Sequence, residues 1–275
     1  MSRRLRQFLL SIAYLALGLV FIPPSLAGVL SQGDHQGEDH SFENHKDEDL
    51  DGIILSGANL ESINLKNTTL RDAMMVSTYL LNAVLTNADL TRADLTNAIL
   101  LYAVLKDATL TDATFDGADL TGANLSGASA LNAIFTGATL TDTNLAGADF
   151  TGANFTNATI TGSNLKGTIL TGADLSGSDL SGSNLKGADL AGAYLLGADL
   201  TGINFDSETD FTGAYYDANT LFDPFFDTTG LILVPEPSTG VLFAAGLAAL
   251  AYRRRARRTR ISAAQIHASS GRITS

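Results

Sequence analysis

The chain has 275 residues with no Cys and no Trp, which excludes disulfide frameworks, Cys-type zinc sites and cysteine nucleophiles. Its formal net charge of −12 hides an uneven distribution: three Arg precede residue 28 and seven follow residue 252. Between them, seven basic residues face all 29 acids, a charge of −22 that repels phosphate and argues against nucleic acid as a partner.

The N-terminus reads as an address. Arg3, Arg4 and Arg6 form a cationic start, residues 8–22 form an apolar run, and Pro23-Pro24 break it before Ser25-Leu26-Ala27. That is the layout of a secretory signal peptide spanning residues 1–27, with signal peptidase cutting after Ala27. The run of 15 residues is short for a membrane span, which needs about 20 apolar residues.

Residues 28–47 are polar and acidic and read as a His-containing linker or a frayed start of the body. His35, His40 and His45 are five apart, in register with the Leu positions that follow. With the adjacent carboxylates they are the candidate metal ligands of the chain, by the affinity of imidazole and carboxylate for Zn²⁺ or Cu²⁺. Flexible His/Asp tracts also bind metal loosely, so no metal site and no cofactor is assigned.

From residue 48 the sequence repeats every five residues, as in ADLTR ADLTN and ADLSG SDLSG SNLKG ADLAG. An apolar residue, usually Leu, Phe or Ile, stands at every position divisible by five from Leu50 to Phe205, 32 consecutive units. A small residue sits two places earlier, so on an extended segment both face inward while the residue between points out. A strand period of two cannot persist through a period of five, so each unit must turn. Gly or Asn at the last place suits that corner, since both tolerate unusual backbone angles. An extra residue near Ser207–Asp210 shifts the frame, which Phe211, Tyr216 and Leu221 continue weakly to 221.

This pattern resembles the pentapeptide-repeat family, A-[DN]-L-x-x. The resemblance implies an all-β fold, a right-handed quadrilateral parallel β-helix with four units per coil, here between helical targeting segments. Likeness at every fourth unit supports it: Asn124, Asn144, Asn164, Asn184 and Asn204 would form a ladder, and Phe115, Phe135 and Phe155 a stack. With coils about 4.8 Å apart, eight coils extend about 38 Å.

On the surface, Met74, Tyr79, Val84, Ile99 and Val104 take the outward place usually given to Asp, Asn or Thr. Leu81 and Leu101 replace the outward Ser or Thr, and Tyr102 replaces Gly. The pairs 79/99, 81/101 and 84/104 are each four units apart and should form one apolar patch, an interface candidate for self-association or a protein or polysaccharide partner. Stabilising ladders of such side chains are the alternative. Asp179 and Asp199 are likewise four units apart, which could hold Ca²⁺ or simply form a solvated acidic face. No G-x-S-x-G, H-E-x-x-H or phosphate loop occurs, and no catalytic residues are assigned.

Residues 222–233, with the aromatics from Phe211 to Phe226, read as a cap over the last coil. Then come Val234-Pro235-Glu236-Pro237, the apolar stretch 241–252, and a cluster headed by Arg253-Arg254-Arg255 and closing at Arg258. Residues 234–258 resemble the PEP-CTERM sorting signal. The resemblance implies recognition of Pro235-Glu236-Pro237 by exosortase, a membrane protease-transpeptidase, while Arg253–Arg258 hold the far end in the cytoplasm. The apolar stretch is too short to span comfortably, so it implies transient membrane association of an anchored precursor. Residues 259–275 form a tail beyond the signal.

These readings converge on an exported, non-catalytic structural or interaction protein of a Gram-negative envelope, outer surface or extracellular matrix. Two alternatives stand beside it. One is a DNA-mimicking acidic rod acting on a nucleic-acid enzyme, as the resembled family's quinolone-resistance members do. The other is a weak metal- or Ca²⁺-binding matrix protein.

Overall fold

The computed structural model describes residues 33–224 and 226–235. The helical targeting segments expected at both ends lie outside these residues. Apart from Val234 and Pro235, the described residues belong to one compact unit closing at Leu233.

One pentad shows how the fold is built. In Ala118-Asp119-Leu120-Thr121-Gly122, Ala118 and Leu120 point inward and are fully buried. Asp119 points outward and bridges Ile99 of the preceding coil and Thr139 of the next, both parallel. Its Oδ1 accepts from the backbone N–H of Thr121 at 3.0 Å and from the Thr121 hydroxyl at 2.6 Å. That local bond starts the turn, which is why Asp or Asn precedes Leu and Ser or Thr follows it. Gly122 has φ +68, the left-handed value a type II turn needs at its third residue. The Ala123 N–H closes the turn on Leu120 O at 2.9 Å.

Each pentad also ties three backbone groups to its neighbours. Leu120 and Gly122 donate to Thr139 and Thr141 of the next coil, and Asp119 donates to Ala98 of the previous one, all at 2.7–3.0 Å. Repeated four times per coil, this gives four ladders that each advance one coil per rung, with few bonds left for conventional strands. The named strands are β1 (Asp199–Leu200), β2 (Tyr215–Tyr216), β3 (Leu221–Phe222) and β4 (Ile232–Leu233), with β1 parallel to β3 and β2 parallel to β4.

The core is a column of Leu and Ala from Leu50 to Leu200, and burying each Leu contributes about 2 kcal/mol. At its centre Phe115, Phe135 and Phe155 stack at 4.7 and 4.9 Å as expected, and Phe150 meets Phe135 and Phe155 edge-on. The asparagine ladder also forms: Asn144, Asn164 and Asn184 each donate from Nδ2 to the Asn one coil below at 3.1–3.2 Å. Where Thr or Ser replaces the inward Ala, its hydroxyl donates to a backbone carbonyl, as Thr68 does to His45 O and Ser183 to Ile160 O, both at 2.7 Å. Among the described residues, no buried side-chain polar atom is left without a partner.

The structure moves both ends of the repeat. At the N-terminal end, Asp34, Asp39, Asn44 and Asp49 bridge Ile54, Asn59, Asn64 and Thr69. The stretch 34–47, which reads in the sequence as a linker or a frayed start of the body, therefore belongs to a regular coil of the solenoid that is completed by the pentad of Asp49. One ladder runs from Asp34 to Ile232 in ten steps, about 48 Å at the strand spacing rather than the 38 Å expected.

At the C-terminal end the frame slips twice, not once. Asp189 pairs with Asp210, one place beyond the regular step, whereas Leu200 pairs with Phe222, two places beyond it. The second slip puts Phe222 where Leu221 was expected, and Leu221 is 51% exposed. Both slips have one cause. In Asp206-Ser-Glu-Thr209 and Asp217-Ala-Asn-Thr220, the Asp carboxylate accepts from the neighbouring coil (Gly187 N, Gly197 N), and the Thr hydroxyl donates back to it (Leu185 O, Leu195 O) at 2.8–3.0 Å. Each Asp-x-x-Thr absorbs one extra residue without breaking the ladder. The repeat places Phe205 inward, but it is 44% exposed, because its ladder ends at Asn204 among the described residues. Phe205, Phe211, Phe222 and Phe226 pack together at 4.5–6.2 Å to close this end.

Phe135→Asp should unfold the central coils, since it removes a stacked ring and buries an unpaired charge; the Ala variant alone should cost about 3–5 kcal/mol. Thr141→Asp, on the outward turn, should cost no more than about 0.5 kcal/mol. Circular-dichroism melts compare the two, and equal midpoints would overturn the assignment of inward and outward places.

Candidate functional site

Three features stand out from the regular surface. The first is an apolar corner on two successive coils. Tyr79 pairs with Ile99 on one face and Val84 with Val104 on the adjacent face. Asn82 N donates to Leu101 O at 3.0 Å, setting the turn that carries Leu81 directly beneath the turn that carries Leu101 and Tyr102. The three pairs expected to stack are thus brought together across one corner. Met74 is not part of this corner: it pairs with Ile54 and Asp94 on another face. The corner is bounded by polar rungs, Asn59 and Asn64 below, Asp119 and Asn124 above. Val84 and Val104 are the interruption in a face that is otherwise asparagine.

Within the corner, Leu81, Val84, Leu101 and Val104 are half-buried, while Ile99 is 37% and Tyr102 60% exposed. Tyr102 has φ 56, an unusual conformation for an aromatic residue. Its ring lies over Gly122 of the next coil, where an added Cβ would fall 2.5 Å from Cδ1 and 2.6 Å from Cε1. The sequence pattern does not reveal this ring-on-glycine seat.

The second feature is the first coil. His35, His40 and His45 occupy the inward places that Leu holds elsewhere, and His45 is fully buried. Glu38, Glu43 and Glu48 take the places of the inward Ala. The result is a chain of alternating groups: His35 Nδ1 to Glu38 at 2.9 Å, Glu38 to His40 Nε2 at 3.2 Å, His40 Nδ1 to Glu43 at 3.1 Å, Glu43 to His45 Nε2 at 2.8 Å, and His45 Nδ1 to Glu48 at 3.0 Å. The His35 ring, hydrogen-bonded to it, holds the Glu38 carboxyl below the usual carboxylate range. The three glutamates were missed by sequence reasoning, although H-x-x-E-x recurs three times in the register of the repeat.

The third feature is the charge. Arg71 donates from Nε to Asp51 one coil below at 2.8 Å, and Arg92 forms a bidentate pair with Asp72 at 2.7 Å. These guanidinium groups hold Asp51 and Asp72 below the usual aspartate range. Asp179 and Asp199 do stack, but each carboxylate accepts from its own turn, from Ser181 N and Thr201 N at 2.9 Å. They act as turn formers.

Of the processing residues, Pro235 is exposed and follows β4. Ala27, Glu236, Pro237, Arg253, Arg254 and Arg255 lie outside the described residues. Among the described residues, no helix is long and apolar enough to cross a membrane.

Comparison with known families matches eight copies of pentapeptide repeats at residues 53–92, 88–127, 133–172 and 168–206, more than half of the chain. The chain belongs to the pentapeptide-repeat family. Membership implies that the parallel coils wind right-handed. The PEP-CTERM protein-sorting motif is matched at residues 233–256, which implies processing by exosortase. Among solved structures, this pentapeptide-repeat chain is similar to HetL, which is involved in heterocyst differentiation regulation in the cyanobacterium Nostoc sp. strain PCC 7120 (28% identity, 74% of this chain and 94% of that one, TM-score 0.33). It is also similar to alr5209 from Nostoc PCC 7120 (39% identity, 37% and 84%, TM-score 0.36). A third likeness is to QnrB1, a plasmid-mediated fluoroquinolone resistance protein (19% identity, 64% and 93%, TM-score 0.44). No curated protein matches the chain.

Gly122→Ala should displace the Tyr102 ring and strain a left-handed turn, lowering stability by about 1 kcal/mol or more. Tyrosine fluorescence together with a thermal melt reads both effects; an unchanged melt would remove the seat from the account. Acid should also destabilise the solenoid. The folded-state values of Asp51 and Asp72 lie below the ordinary 3.8, so their contribution is present above that value and is lost as pH falls beneath it. Melting midpoints measured from pH 6 downward should hold until about pH 4 and then drop.

Proposed function

We propose that the chain is an exported, non-catalytic structural or interaction protein of a Gram-negative envelope or extracellular matrix. Signal peptidase frees the N-terminus after Ala27, and exosortase acts at Pro235-Glu236-Pro237. The observation that carries this reading is the union of a pentapeptide solenoid with a sorting motif directly behind its cap. The surface chemistry supports it. The outward carboxylates of Asp119, Asp149, Asp174 and Asp199 each hold their own turn, which gives them a structural role. The apolar corner from Tyr79 to Val104 is the surface best suited to a second copy or another partner.

The acidic charge also favours a rod that mimics DNA. That role requires a target in the cytoplasm, and the sorting motif directs the chain away from it. A loosely Ca²⁺-binding matrix role has less support, because the stacked Asp179 and Asp199 carboxylates serve the turns.

Intact mass spectrometry of the exported protein, from strains with and without exosortase, tests the reading. The expected wild-type product lacks the Arg-rich tail, and Glu236→Ala should accumulate as a longer membrane-bound precursor. Residues 238–275 still attached in a strain with working exosortase would overturn it. For the corner, Ile99→Asp, at an exposed outward place, should leave the melt close to wild type and abolish any complex seen by light scattering. A monomeric wild type that recovers no partner assigns those side chains to stability alone.

A further inference from the structure

We propose that the first coil is a binding site for one divalent transition-metal ion of the zinc class, ligated by His35, Glu38 and His40. This goes beyond export and does not depend on it. The starting observation is placement. The three imidazoles stand at the places that Leu, Phe, Ile, Met or Ala fills in the regular coils that follow, and the buried His45 there needs strong polar partners.

The geometry fits a metal. The ligand atoms of His35, Glu38 and His40 all lie within 4.8 Å of one another. Glu38 Oε2 sits 2.9 Å from His35 Nδ1 and 3.2 Å from His40 Nε2. A tetrahedral site with Zn–N and Zn–O bonds of about 2.1 Å has edges of about 3.4 Å, so only small shifts would bring these atoms onto one ion. Two imidazoles and a carboxylate suit zinc-like ions better than Ca²⁺ or Mg²⁺, which prefer oxygen alone. The fourth position would open to solvent beside Glu38, whose side chain is 54% exposed and marks the entry path.

The surroundings of His40 give a second argument. Both of its ring nitrogens face carboxylate oxygens, Nε2 towards Glu38 at 3.2 Å and Nδ1 towards Glu43 at 3.1 Å. A cation held by His40 Nε2 and Glu38 would use the first of these contacts. It leaves His40 Nδ1–H to donate to Glu43, the carboxylate–histidine–metal arrangement that orients metal ligands. Glu43 in turn meets His45 Nε2 at 2.8 Å, so His45 is a positioning residue behind the site. The field is favourable: residues 33–52 carry eight acids against Lys46 alone.

The test uses the full chain in detergent, without a histidine tag, stripped with chelator and titrated with Zn²⁺ by calorimetry. Co²⁺ substitution reports geometry through its visible absorption. One ion per chain with a tetrahedral Co²⁺ spectrum is expected. His40→Gln should weaken binding about a hundredfold, and His45→Gln, outside the ligand shell, about tenfold. Glu38→Gln keeps a hydrogen-bonding side chain at an exposed position and should lose the Co²⁺ spectrum with its circular dichroism unchanged. His267→Gln, in the tail, and Asp179→Asn should bind as wild type. Absence of binding, undiminished binding in Glu38→Gln, or equal loss in His267→Gln would each overturn the assignment.

Discussion

A chain that turns a corner in every pentad must repeatedly place one residue in the left-handed region. That constraint governs the molecule. A β-carbon there costs about 1–2 kcal/mol, which glycine avoids. Where glycine is absent, Asn and Asp predominate, as at Asn67, Asp72, Asn82, Asn97, Asp112 and Asn132. The preceding Asp or Asn lowers the cost further by holding the turn through its own carboxylate or amide. Because most turns are closed locally, the remaining backbone groups are free to pair coil to coil. Stability is then a sum of local coil energies and nearest-neighbour pairing.

The same construction carries different side chains in its first and last described coils. A solenoid exposes core and unpaired backbone where it stops. At the C-terminal end the solution is apolar: two single-place slips widen the last coils, and a cluster of Phe closes over them. The Asp-x-x-Thr staples allow the widening, since the carboxylate and hydroxyl restore the bonds that the extra residue would break. In the first described coil the inward places are polar. His and Glu stand where Leu and Ala stand in later coils, and they form a hydrogen-bonded chain.

This contrast explains what could be read from the sequence. The body was legible because Leu recurs without interruption, and the four-unit step was visible in Asn124 to Asn204 and in Phe115, Phe135 and Phe155. The first coil was half legible: the five-residue spacing of His35, His40 and His45 gave its register, but the inward glutamates between them escape a search for apolar periodicity. The second slip was hidden because Leu221 and Phe222 are adjacent and both apolar; only the pairing with Leu200 decides between them. Spacing alone pairs the side chains of the apolar corner. The half-burial of its valines and leucines depends on neighbouring turns that spacing does not describe.

The corner columns show how such a surface gains specific features without disturbing the coil. Asn97 leans over Gly117, Tyr102 over Gly122, Asn132 over Gly152 and Asp142 over Gly162. In each case a side chain at a strained corner occupies room that the glycine one coil later leaves empty. At most of these positions the covering group is a polar Asn or Asp; Tyr102 instead lays a flat aromatic face over its glycine. A substitution of the lower residue is thereby tied to the glycine one coil on, not to its sequence neighbours. Surface character in this fold is therefore set in columns, and a two-coil apolar patch can arise while the core beneath it stays the same Leu and Ala.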